Sequence, residues 1–260
     1  MSGYTINDFQ MWLLVLFRFT GMMATAPVFG TQSAPYQFKA GLALATSFLL
    51  FPFVPRDGVV LPPTLAAYLP AVGLELAVGI VIGFAASMFF AGVQFAGHLM
   101  DQELGFGMAN VIDPVTNEQA SILNQFKFML ATLVFLALEG HHFLLRALME
   151  SFDVVPLMGL RWSDRVALAV ADDLMRNLLT VGVKLAAPTV VAGLLVTVAM
   201  ALLARTVPEM NVFILGFSIR IIVGLVVILL GIPLFAVMTA RLSGSMLDDL
   251  NVLIQLMGGR

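Results

Sequence analysis

The chain has 260 residues, 60% of them hydrophobic and 11% charged, with a formal net charge of −3 and no cysteine. Soluble domains carry about 25% charged residues, so the composition excludes an ordinary soluble domain and implies an all-α polytopic membrane protein. It leaves no thiol for a disulfide framework or a thiolate metal site, and so small a net charge points to no nucleic-acid partner.

About 20 consecutive apolar residues cross a bilayer core, and six stretches are read as helical segments on that basis. The opening MSGYTINDFQ lacks the positive region of a cleavable signal, so the first helix is expected to stay as an anchor. Phe9–Phe29 qualifies as a span only if Arg18 is accommodated. Ala40–Val54 is short. Leu76–Gly97 is long enough and extends back past Glu75 to Pro70. Phe128–Leu138 is marginal unless it continues through Glu139 and His141 towards Leu148. Leu185–Ala204 and Ile221–Ala240 meet the length cleanly. The two marginal segments imply tilt, local thinning, or packing against protein rather than lipid.

Three other regions complete the single polytopic domain expected over residues 1–260. Residues 104–121, LGFGMANVIDPVTNEQAS, form an acid-flecked island between two very apolar stretches. A Gly-x-Gly followed by Asp-Pro does not continue a helix, because glycine loses backbone entropy and proline lacks an amide hydrogen. Non-helical backbone near hydrocarbon depth survives only where protein buries it or water borders it. The island therefore either protrudes into water or lines a conduit. Residues 141–177, where four arginines mix with five acids, are the main hydrophilic connection. Residues 245–257 carry Met246, Leu250, Leu253, Ile254 and Met257 at the spacing of an amphipathic helix.

Gly79, Gly83, Ser87 and Ala91 recur every four residues and leave one helix stripe without bulk. Such stripes let helix backbones approach closely in lipid. They serve either packing within this chain or contact with another subunit. Arg18, Glu75, Lys127, Lys184 and Arg220 fall within or beside apolar segments. A charge at the bilayer centre costs roughly 2.5–3.5 kcal/mol on insertion scales, so each needs a partner, water or an interfacial place. Glu75 and Lys127 lie near segment ends and are expected to snorkel. Arg18 and Arg220 are more deeply set, as buried charges, ion pairs at a subunit contact, or the lining of a polar path.

His98, His141 and His142 lack metal-ligand spacing, and no catalytic triad, Walker loop or dinucleotide fingerprint is visible. Gly105-Phe106-Gly107 lacks the third glycine and the preceding strand of a phosphate-binding turn. The sequence points to no enzyme and no cofactor.

Several patterns together resemble the FliR family of flagellar biosynthetic proteins of the type III export gate. They are LFRFTGMMATAPVFG at 16–30, KAGLALA at 39–45, ELGFGMANVIDPVTNEQASILNQF at 103–126, FLALEGHHFLLRAL at 135–148 and LLARTVPEMNVFILGFSIRIIVG at 202–224. The chain is also similar to the paralogous virulence-secretion family, but Pro208-x-Met210-Asn211-Val212-Phe213 favours the flagellar branch. The resemblance implies a multi-pass inner-membrane protein of the flagellar basal body. It also implies partners: FliP-like and FliQ-like subunits sharing a pore, an FlhB-like subunit, and unfolded flagellar proteins as cargo. In that family the island's counterpart is a pore plug, which makes Gly105, Phe106, Gly107, Met108, Asn110, Asp113 and Pro114 the plug candidates here. Glu209 departs from the pattern, where an uncharged residue is expected. Two rival readings are a small-solute secondary transporter, which calls for a pseudo-symmetric repeat not found here, and a structural scaffold with a dispensable island.

Overall fold

The computed structural model describes residues 5–27, 29–30, 35–56, 59, 61–105, 122–160, 163–207 and 212–259. Thr5 opens the first helix, α1 (Ile6–Thr25), with a capping box: its hydroxyl accepts the Asp8 amide at 3.3 Å, and the Asp8 carboxylate accepts the Thr5 amide at 2.8 Å. The helix ends because Ala26 precedes Pro27 and takes an extended conformation. A short helix, α2 (Tyr36–Leu50), follows and runs into a single 3₁₀ turn, Phe51–Phe53, that contains Pro52.

The third helix, α3 (Leu65–Leu104), is 40 residues long and tolerates Pro70 near its start. Gly105, at φ 78°, closes it in the left-handed conformation that glycine adopts without penalty. After the island come α4 (Ile122–Ala137) and α5 (Gly140–Val154), which are bent by 65° relative to each other. Glu139 makes that bend by taking φ 57°, an uncommon conformation for a residue with a side chain. Ser163 then caps the short α6 (Asp164–Leu168), which passes through a π turn, Ala169–Asp173, into α7 (Leu174–Thr206). The last helix, α8 (Val212–Met257), runs for 46 residues through Pro233.

All six segments expected from the apolar runs are helical. Among the described residues, three helical stretches, Leu65–Leu104, Asp164–Thr206 and Leu215–Met257, are long and apolar enough to cross a membrane, and four if the bent α4–α5 pair counts as one span. Phe9–Phe29 is not among them. Its helix stops short at Thr25, and its first turns carry Asn7, Asp8 and Gln10.

The chain divides into two compact units. One contains Met1–Met88, Glu139–Met175 and Gly244–Arg260, and its core includes Leu14, Phe19 and Met22 of α1, Ile82 of α3, Leu148 and Phe152 of α5, and Leu250 and Ile254 of α8. Glycine sets the contact of α1 with α3. A Cβ on Gly21 would meet the Leu76 carbonyl, and one on Gly79 would meet the Arg18 carbonyl. The other unit contains Phe89–Leu138 and Arg176–Ser243. Phe90 packs edge-on against Phe128 and Phe135 there, with centroids 5.7 and 5.3 Å away.

Candidate functional site

The island leaves and rejoins the fold at a neck built from α3, α4 and α8. On the outgoing side, the Leu104 side chain fills the space over Gly224, where a Cβ would collide with its Cδ2 atom. Gly105 sits against the Phe217 ring, 2.9 Å from where a Cβ would stand. On the returning side, the buried Asp101 carboxylate accepts the backbone amides of Leu123 and Asn124 in the first turn of α4. A carboxylate at a helix N-terminus satisfies orphan amides and meets the positive end of the dipole. Gly97 lets Asn124 approach, since a Cβ there would lie 2.5 Å from the Asn124 Cα. The neck is thus tied across, from one turn before Gly105 to the start of α4.

Of the plug candidates, Gly105 lies at this neck. Phe106, Gly107, Met108, Asn110, Asp113 and Pro114 lie outside the described residues. Sequence reasoning missed Asp101. The available signal was an acid one turn before the glycine that ends α3, within helical reach of the returning chain.

The buried charges are a second constellation. Arg18 is fully enclosed, and its guanidinium is shared between α3 and the end of α5. Its Nε donates to Glu75 Oε2 at 2.5 Å, and its other nitrogens donate to the Ser151 carbonyl and hydroxyl and, twice, to the Val155 carbonyl, at 3.0–3.1 Å. Those carbonyls end α5, where the helix dipole favours a cation. The Phe152 ring lies under the guanidinium, with its centroid 4.1 Å from Cζ. The second Glu75 oxygen accepts the Met158 amide at 2.7 Å and holds that residue at φ 63°. Arg18 is therefore paired within the chain. Glu75 does not snorkel, being 1% exposed, because Arg18 and Met158 replace its water.

Lys127 does not snorkel either. It is 2% exposed, with its Nζ 4.2 Å from the centroid of the Phe235 ring. Lys184 is exposed, and Arg220 is half-buried and donates to Thr197 Oγ1 at 2.8 Å. In the small-residue stripe, Gly79 and Gly83 face α1, and a Cβ on Gly83 would meet Thr25 Oγ1 and the Met22 carbonyl. Ser87 and Ala91 are half-buried. The tail residues Met246, Leu250, Leu253, Ile254 and Met257 are buried at the end of α8 rather than on a separate helix.

The neck, a joint of a carboxylate cap and close glycine contacts, is suited to holding a segment in place. The family of bacterial export proteins, family 1, matches residues 9–246. The chain belongs to that family. Its relatives include flagellar biosynthetic proteins FliR: that of Bacillus subtilis (strain 168) is 29% identical over 97% of this chain and 98% of its own length. Those of Escherichia coli (strain K12) and Aquifex aeolicus (strain VF5) are each 29% identical over 91% of both chains. This FliR-family chain is a multi-pass inner-membrane protein of the flagellar basal body, consistent with its long apolar helices.

Proposed function

We propose that this chain is a subunit of the flagellar protein export gate and that its island plugs the shared pore. The supporting observation is the near-full-length match to FliR proteins, which covers the island as well as the spans. FliP-like and FliQ-like subunits complete the pore, an FlhB-like subunit adjoins it, and unfolded flagellar proteins pass through. The chain acts as a conduit part rather than an enzyme, and the energy for export is supplied elsewhere.

In this reading the island seals the lumen at rest and moves aside for cargo. Gly105 and Gly107 supply the backbone freedom for that motion. Met108 and Phe106 supply an adaptable apolar seal, since a thioether fits several shapes. Asp113-Pro114 sets a turn that leads back to α4. The tied neck fits this role, because a stopper must return to the same place after each passage.

Deleting Gly105–Asn110 tests the reading. The complex should still be recovered with its FliP-like and FliQ-like partners, while ion leakage through the membrane rises above that of the parent strain. Unaltered leakage from an assembled deletion complex would refute the plug, and unaltered motility would favour the scaffold reading.

A further inference from the structure

We propose that the groove between α1 and α2 seats an anionic phospholipid, with its phosphate at Lys39 and an acyl chain along the apolar floor. The groove encloses about 520 Å³ and is lined by Leu16, Thr20 and Met23 of α1 and by Lys39, Ala43 and Leu44 of α2, among others. Lys39 is the one charged residue lining it among the described residues. The Thr20 hydroxyl already donates to the Leu16 carbonyl at 2.7 Å, so that wall offers little to a polar guest. A half-buried cation at one end of an otherwise apolar trough asks for a ligand with one anionic head and a hydrocarbon body.

The position of α2 supports the same occupant. Its 15 residues reach about 22 Å, short of the roughly 30 Å hydrocarbon core. Tyr36 and Lys39 stand in its first turn, and lysine and tyrosine are residues that anchor at the headgroup level. Phe48, Leu49 and Phe53, at its other end, are exposed apolar groups suited to acyl chains. The helix carries no acid to compete for Lys39. Basic pockets between membrane helices are established headgroup sites in other proteins.

The inference does not depend on the export reading, because it concerns α1 and α2 alone. It is tested on the full-length chain, purified in its native complex and exchanged into nanodiscs of phosphatidylcholine doped with phosphatidylglycerol. Native mass spectrometry then counts the lipids retained. The intact protein should keep phosphatidylglycerol over phosphatidylcholine by about fivefold, the preference expected of one lysine near a surface. Lys39→Gln should abolish that preference and Lys39→Arg should preserve it. Ala40→Trp, which fills the groove from an exposed position, should lose lipid of either headgroup. Equal retention of the two lipids by the intact protein would overturn the proposal without any variant. So would an undiminished preference in Lys39→Gln, or a density map of the complex with protein in the groove.

Discussion

Arg18 shows how a charge persists in so apolar a chain: every side of its guanidinium is occupied. Two carbonyls at the end of α5, one hydroxyl, one carboxylate and one ring surround it. Breaking a buried pair by removing one partner leaves an uncompensated charge, which costs about 3–5 kcal/mol. Glu75→Ala should therefore lower the unfolding midpoint of the purified protein strongly, and Arg18→Lys should not escape, because an ammonium lacks the planar fork. Replacing both with apolar residues of similar volume should recover much of the loss. Equal stability of Glu75→Ala and the parent in a denaturant titration would show the pair to be ornamental. The sequence exposed each charge but not their union. Glu75 lies 57 positions from Arg18, and Ser151 and Val155 another 76 and beyond, so no local pattern links them. Proximity to a segment end suggested snorkelling for Glu75 and Lys127, and that rule fails when an internal partner or ring is within reach.

At the level of helices, small residues decide which surfaces meet. Gly83 lies where a Cβ would strike the Met22 carbonyl and Thr25 Oγ1, whereas Gly73 on the same helix has open space around it. Gly83→Leu should force α1 off α3 and destabilise the protein by about 1–3 kcal/mol or more, since overpacking is not relieved by moving backbone. Gly73→Leu should be near neutral. Thermal unfolding of the two variants side by side checks this, and equal midpoints would contradict it. The contacts of Gly79 and Gly83 with α1 are foreshadowed by their period-four spacing, which puts both on one helix face. Joints were not. Nothing before Ser245 stops α8, and a lone Gly244 does not end a helix already held by packing, so the amphipathic tail is an extension and not a separate element. The 65° bend between α4 and α5 rests on Glu139 in a left-handed conformation, which a glutamate in an apolar run does not advertise.

Across the whole molecule, the apolar runs and the resemblance carried most of what could be read. The helical class, the membrane setting and the FliR family follow from composition and from motifs in fixed order, and the match over residues 9–246 agrees with them. The division into two compact units is not legible in the sequence, because α3 and α8 each pass through both and hydropathy registers no boundary inside a continuous apolar helix. The neck was half legible: the glycine pair marked the exit from α3, while the Asp101 cap on α4 depends on a meeting in space.

In the proposed function the island stands in the path of exported protein. Because the chain has no cysteine, Met108→Cys gives it a single thiol. In cells whose export is stalled on a cargo carrying its own single cysteine, oxidation should join cargo and position 108 in one disulfide-linked band. A thiol at position 108 that never couples to stalled cargo, yet reacts freely with a membrane-impermeant maleimide, would contradict the account.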